Sequence, residues 1–266
     1  MEVSEFIAAL RAQGELMAVA AGGVEPTAPV PTCPDWTVRD LLLHTGGVHR
    51  WAATIVGQAC AEPVGLARPQ DIVADLPSDA ALVDWFADGH AALVRTLETA
   101  PPDLDCWTFQ PAPSPLAFWA RRQTHETAIH RVDAETAAGG TAAAGTVTPV
   151  KAEVAADGVD ELLTGFLARN RRLRRDTEHT IGVHVTDVDR NWLVRIGPDA
   201  PRTERSGIPV DSVDSVDTVD AEATVSGRAE AVYLALWNRQ PLSTLTITGD
   251  DRLLADWARC VRVRWS

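Results

Sequence analysis

The apolar residues of this chain change period once, and that change limits the folds open to it. Phe6, Ile7, Leu10, Met17 and Ala20 recur at helical spacing over residues 4 to 21. Gly22-Gly23 predicts the stop of that helix. A Pro-rich loop from Pro26 to Pro34 follows. Thr37, with Asp40 three residues on, has the pattern of a capping box and opens a second helix reaching about Gly57. Leu82, Phe86, Leu93 and Leu97 mark a third helix, which Pro101-Pro102 stops. Ser114-Pro115 is an N-cap residue followed by proline at the first helical position. It opens a fourth helix that runs to about Ala138 and ends at Gly139-Gly140. Four helices of ~18–25 residues within ~140 residues predict a four-helix bundle, and connections longer than in a minimal up-down bundle leave its topology open.

Residues 139 to 150 are rich in Gly, Ala and Thr and read as a linker. A further helix is expected over Ala152 to Arg174, with Val159, Leu163, Phe166 and Leu173 on one side. Ile181-Gly182-Val183-His184-Val185 and Trp192-Leu193-Val194-Arg195-Ile196 then read as two strands joined by a turn at Asp187 to Arg190. Ala223-Thr224-Val225 and Leu245-Thr246-Ile247 read as short strands, with helices over Arg228 to Trp237 and Asp250 to Ala258. The expected fold class is therefore α+β in two domains, a helical bundle over 1–145 and an α+β domain over 152–266. The stretch Val210 to Asp220, a Val-Asp repeat of period three, matches neither a strand nor a helix stripe. It reads as a solvated acidic loop. It lacks the Gly turn and closing Glu of a calcium loop.

Composition narrows the partners. Lys and Arg number 24 against 37 Asp and Glu, a net charge of −13 over 266 residues. Such a chain is repelled by nucleic-acid phosphates and by anionic lipids, so neither nucleic acid nor a membrane is an expected partner. No window approaches the ~18 uninterrupted apolar residues of a transmembrane helix. The start Met1-Glu2-Val3-Ser4-Glu5-Phe6 lacks the basic and apolar regions of a secretory signal. Cys33, Cys60, Cys106 and Cys260 are scattered, with no C-x-x-C pair, and suit neither a zinc knuckle nor a disulfide framework. Reduced thiols in a cytoplasmic protein are the expectation. Cys33 stands apart, because it sits beside Pro34 just ahead of a helix. No oligomeric state is assigned.

The chemistry concentrates on the fourth helix. Glu126 and His130 are four apart, so they share one face, and Trp119, Gln123, Glu126, His130 and Asp133 form one stripe. A Glu and a His facing the inside of a bundle are costly unless paired or metal-bound. On the second helix, His44 sits at the centre of the stripe Thr37, Leu41, His44, Val48, Trp51 and Ile55. Two imidazoles and a carboxylate converging in a bundle suit a divalent metal such as zinc, with a position open for water or substrate. His49 and His90 also fall near apolar stripes, so spacing alone does not choose the third ligand. His125 lies about 100° round the helix from Glu126, off its face. Arg122, one turn before Glu126, is placed either to pair with it or to meet an anionic substrate. Asp133 and Arg131 read as a second layer around the metal ligands or as a surface ion pair. Trp36 reads as a core anchor.

A resemblance carries these readings further. The run Thr32-Cys33-Pro34-Asp35-Trp36-Thr37-Val38-Arg39-Asp40-Leu41-Leu42-Leu43-His44 resembles the start of the mycothiol-dependent maleylpyruvate isomerase family, within the DinB-like metal-dependent superfamily. His125-Glu126-Thr127-Ala128-Ile129-His130-Arg131-Val132-Asp133 resembles that family's second motif. Residues 155–163, Ala223-Thr224-Val225-Ser226-Gly227 and Leu236-Trp237-Asn238-Arg239 are similar to its later parts. The resemblance implies a DinB-like bundle followed by a domain like sterol-carrier-type domains. It implies a metal triad of His44, Glu126 and His130, with zinc the usual metal, and mycothiol as cosubstrate. Arg239 is a candidate for the cleft between domains. One lysine, Lys151, among the 24 basic residues suits a high-GC bacterial origin, the kind of cell in which mycothiol is found. The resulting expectation is a cytoplasmic, metal-dependent, mycothiol-using transferase or isomerase acting on a small electrophile. The alternatives are a metal-dependent hydrolase on the same scaffold and a non-catalytic binding module.

Overall fold

The computed structural model describes residues 1–65, 76–139, 147–206 and 221–263. The chain divides into two compact units, Met1–Thr148 and Pro149–Ser266.

The first unit is built from α1 (Val3–Gly22), α2 (Val38–Gly57), α3 (Leu82–Thr99) and α4 (Pro115–Ala137). The helix starts follow the local chemistry read from the sequence. Thr37 and Asp40 close a capping box at α2, and Ser114 Oγ accepts from the Ala117 amide at α4, with Pro115 at the first position. α1 packs on α3 and α4, and α2 packs on the same two helices. Going round the bundle the order is therefore α1, α3, α2, α4, so the α1–α2 connection joins diagonal helices. This settles the topology that the long connections left open.

α4 is central. Every residue from Arg122 to Ala134 is buried, although this stretch holds two arginines, two histidines, a glutamate and an aspartate. A helix that is polar and buried all round must satisfy its own polar groups inside the protein. Arg131 does so structurally, through Gln13 Oε1 at 2.8 Å, Glu135 Oε2 at 2.7 Å and the Thr148 carbonyl at 2.6 Å. Thr124 donates to the Phe6 carbonyl at 2.8 Å.

Between α1, α2 and α3 lies a pair of buried imidazoles, His49 and His90, with ring centroids 5.2 Å apart. His90 stacks on Phe86 and bonds the Arg11 carbonyl at 3.3 Å. Burial first, and the neighbouring His90 second, pushes His49 well below its ordinary pKa, so it stays neutral. Gly14 faces the His90 ring so closely that a Cβ there would overlap it. Because Phe86 and the Arg11 carbonyl hold the ring, it has nowhere to move. Gly14→Ala is expected to destabilise the protein by about 1–3 kcal/mol, as overpacking does, measured by denaturant unfolding.

The second unit opens with α5 (Ala152–Asp160), which continues as a π-helical turn over Glu161–Phe166 and a 3₁₀ turn over Leu167–Arg169. The expected helix to Arg174 is thus shorter. The Asn170 side chain accepts from the Arg172 and Leu173 amides at 2.7 and 3.0 Å, which replaces helical bonding with a turn. A five-stranded sheet follows, of β1 (His179–Val185), β2 (Asn191–Ile196), β3 (Arg202–Ser206), β4 (Ala223–Gly227) and β5 (Thr246–Gly249), in the order β3-β2-β1-β4-β5. β1 and β4 are parallel, with Val183 opposite Val225, and the other pairs are antiparallel. α6 (Ala229–Leu236) packs on α5, and Trp237 Nε1 donates to the Gly158 carbonyl at 3.0 Å. The expected helix over Asp250 to Ala258 is instead a 3₁₀ turn, Asp251–Leu254, and a short α7, Trp257–Cys260. Asp250 accepts from the Arg252 amide and caps the turn. Buried Asp160 accepts from Trp192 Nε1 at 2.9 Å and from Arg205 twice at 2.6 Å, which ties α5 to β2 and β3.

The acidic repeat at 210–220 and most of the linker at 139–150 lie outside the described residues. Among the described residues, no helix is long and apolar enough to cross a membrane.

Candidate metal centre

The site lies in the first unit, where α2 and α4 meet the loop that leads into α2. Three donors from two helices converge there. Glu126 Oε1 is 3.1 Å from His44 Nε2 and 3.4 Å from His130 Nε2. The other carboxylate oxygen, Oε2, accepts from Arg122 at 3.1 Å. The carboxylate is thus turned so that one oxygen faces two imidazoles and the other is held by a guanidinium. The side chains of Glu126, His130 and His44 are 5%, 10% and 15% exposed, so a solute approaches from the His44 side.

A second layer fixes His130. Its Nδ1 donates to Asp133 Oδ2 at 2.8 Å. Asp133 is fully buried and also accepts from Thr32 Oγ1 at 2.6 Å and from the Cys33 thiol at 3.3 Å. The carboxylate therefore commits Nδ1–H and leaves Nε2 aimed at Glu126, the arrangement found behind metal-bound histidines. Asp133 serves the site, and Arg131 serves the bundle core.

The loop supplying Thr32 and Cys33 is tight. Val30 N donates to Trp36 O at 2.9 Å, and Trp36 N donates to Cys33 O at 3.0 Å. Asp35 sits in the left-handed region at φ 77°, which Asp tolerates better than most residues. This turn folds Trp36 back over the site. Its ring lies 4.9 Å from His44 and stacks at 5.8 Å on His130. Trp36 is thus a wall of the site as well as a neighbour of the core, a role the sequence pattern did not reveal. The signal was present in the Cys-Pro-Asp-Trp run, whose turn residues fold it back onto the helix that follows.

Electrostatics follow from these contacts. Burial alone would raise the Glu126 pKa, but hydrogen bonds from His130 and His44, and the charges of His130 and Arg122, outweigh it and hold the group well below the usual carboxylate range. Burial alone would lower His130, but Asp133, Cys33 and Glu126 outweigh it and hold the imidazole well above its ordinary value. In the metal-free protein the centre is an anionic Glu126 between a cationic His130 and Arg122.

The chemistry of the donor set fits a divalent cation. One carboxylate oxygen and one ring nitrogen from each histidine lie within 4.8 Å of one another, and the second layer already orients one imidazole. His44, Glu126 and His130 are brought together. His49 is not: its Nε2 bonds Thr127 Oγ1 at 2.9 Å, and His90 lies beyond it. His125 packs edge-on against Phe6. Arg122 reaches the site through Glu126. Arg239 belongs to the second unit, where its NH1 donates to the Trp237 carbonyl at 2.9 Å. His179 and His184 also lie there, bonded to Glu222 and Asn191.

Residues 7–135 match the family model of the mycothiol maleylpyruvate isomerase N-terminal domain, and residues 153–256 match the C-terminal domain of the same family. Two crystal structures, of the mycothiol-dependent maleylpyruvate isomerase and of a point mutant of it, are similar in fold. Each has a TM-score of 0.60 and 15% identity over 93% of both chains. A comparison with curated proteins gives no match.

Proposed function

The chain belongs to the mycothiol maleylpyruvate isomerase family, and from that membership we propose that it is an enzyme that uses mycothiol at the His44, Glu126 and His130 centre to isomerise a small electrophilic substrate. The observation that carries the reading is the convergence of both imidazoles on one oxygen of a buried carboxylate, in a helix otherwise occupied with satisfying its own polar groups. The DinB-like character of the bundle, the sterol-carrier-type character of the second domain and a cytoplasmic location are parts of this proposal.

His44, Glu126 and His130 would hold a divalent cation, zinc by the nature of the donor set. Such a cation lowers the pKa of a thiol bound to it, so that thiolate is available near neutral pH. The protein's own residues do the rest. Asp133 keeps Nδ1 of His130 protonated and Nε2 free for ligation. Arg122 holds Oε2 of Glu126, which leaves Oε1 for the same purpose and balances its charge. Trp36 covers one side and excludes water from the rings. The thiol gives its proton to solvent. The thiolate sulfur then forms a bond to one alkene carbon of a maleyl-type substrate while the π electrons move to the conjugated carbonyl. Rotation follows about what is now a single bond, and expulsion of the thiolate restores the double bond as the other isomer, so mycothiol is regenerated. If the C–S bond stayed, the same centre would act as a transferase. Arg239 of the second unit is a candidate for holding the cosubstrate.

An electrophile screen that includes maleylpyruvate, run with and without mycothiol on the wild type and on His130→Ala, tests this. The expected result is turnover only with mycothiol, a product without sulfur, and loss in the variant. Turnover without mycothiol would point instead to a metal-dependent hydrolase, and a sulfur-containing product to a transferase.

A further inference from the structure

We propose that Cys33, Asp133 and Nδ1 of His130 form a second cation site, selective for thiophilic divalent ions, which is used in alternation with the centre formed by His44, Glu126 and Nε2 of the same histidine. Sγ of Cys33, a carboxylate oxygen of Asp133 and a ring nitrogen of His130 lie within 4.8 Å of one another. Asp133 Oδ2 is the shared point, 3.3 Å from Cys33 Sγ and 2.8 Å from His130 Nδ1. Its other oxygen is anchored by Thr32 at 2.6 Å. Asp133 is fully buried, and Cys33 is half-buried on the turn that leads into α2. A buried carboxylate beside a thiol and an imidazole nitrogen is a sulfur, nitrogen and oxygen donor set, whose thiol favours divalent ions softer than zinc, such as cadmium.

Alternation follows from the imidazole. A neutral ring has one lone pair and one N–H. When Nδ1 donates to Asp133, the lone pair is on Nε2 and faces Glu126. When the proton moves to Nε2, the lone pair is on Nδ1 and faces Asp133 Oδ2, the atom that Cys33 also meets. Serving both sides at once would require the ring to lose its second proton as well. One histidine therefore works as a selector. Ions content with nitrogen and oxygen donors, zinc included, are drawn to the Glu126 side, and softer ions to the Cys33 side. Binding on the Cys33 side releases the thiol proton to solvent and forms a metal–thiolate bond, with no change of oxidation state. It also removes His130 from the first centre, so a thiophilic ion in excess would switch that centre off. Neither mycothiol nor any substrate takes part in this exchange.

Cadmium titration of the metal-free full-length protein tests the site, read by the ultraviolet thiolate-to-cadmium charge-transfer band and by equilibrium dialysis. The wild type should develop the band and bind a single cadmium ion per chain at saturation. Cys33→Ser and Cys33→Ala should lose the band and still bind cadmium at the other centre, which shows that they remain folded. His44→Ala should keep the band at full intensity. Manganese, which favours oxygen donors, should bind the wild type without any such band. The proposal fails if the wild type shows no band. It fails if the band survives in the Cys33 variants, since another cysteine then carries it. It fails also if His44→Ala abolishes the band, since Cys33 would then belong to the first centre. None of these failures touches the thiol-dependence screen on which the proposed function rests.

Discussion

Glu126→Ala is expected to remove bound divalent cation and turnover together, and to destabilise the metal-free protein by about 3–5 kcal/mol. Glu126 is the only acidic member of the triad, and its Oε1 faces both imidazoles while Oε2 holds Arg122. Arg122 and Glu126 have side-chain exposures of 1% and 5%, so truncating the carboxylate takes this counter-charge away from a buried guanidinium, and removing one member of a buried pair costs that much. His44→Ala provides the contrast. It deletes a partly exposed donor, so cation and activity should go while the fold loses much less. Metal analysis of the purified variants and denaturant unfolding after chelation separate the two effects. Loss of activity is expected to be at least about 100-fold, because even outer partners of metal ligands cost 10–100-fold when removed. A Glu126→Ala protein that unfolds like the wild type and keeps its cation would show that the carboxylate is neither a ligand nor a counter-charge.

Which parts of this were legible in the sequence follows from where the information lies. The α2 and α4 starts were legible because a cap is local: Thr37 meets Asp40, and Ser114 meets the Ala117 amide, within one turn of chain. Glu126 and His130 were legible for the same reason, four residues apart on one helix. The choice of His44 over His49 was not legible from spacing, because both fall near the apolar stripe of α2, and it came only from the resemblance carried by the Thr32 to His44 run. Only the order of helices round the bundle decides that His49 turns to Thr127 and His90 while His44 meets Glu126. β3 was missed because Arg202-Thr203-Glu204-Arg205-Ser206 is an edge strand with no apolar alternation, held by pairing to β2 and by Arg205 on Asp160. The fifth helix was overextended because the apolar positions Phe166 and Leu173 continue the stripe, whereas the chain turns at Asn170 for a side-chain reason. The role of Asp133 was half legible. Its spacing from His130 put it on the right face, but the Thr32 and Cys33 donors that complete it come about 100 residues earlier in the chain.

Asp133→Asn is expected to weaken divalent cation binding about 10–100-fold at high pH and to change how binding responds to pH. In the wild type, His130 is held cationic to well above its ordinary pKa by Asp133, Cys33 and Glu126. A cation using Nε2 must displace that proton, so binding competes with protonation. The sign is then fixed. Affinity should fall about tenfold for each unit by which pH drops below the raised pKa, and level off above it. The steep part of the curve therefore extends upward past pH ~6.5, into a range where an unperturbed histidine would already be neutral. Asparagine has about the same volume and still accepts from Nδ1–H, but it carries no charge to stabilise the imidazolium. The pKa of His130 should therefore drop, and the steep region should move to lower pH. The variant loses most at high pH, where the wild type benefits from the more basic imidazole and the fixed ring orientation. Its deficit narrows as the pH falls into the range where the wild type is already protonated. Isothermal titration with zinc across that range, in buffers of differing ionisation heat so that the proton released is counted, reads both effects. A variant whose affinity is lower by the same factor at every pH would show that Asp133 orients the ring without setting its charge.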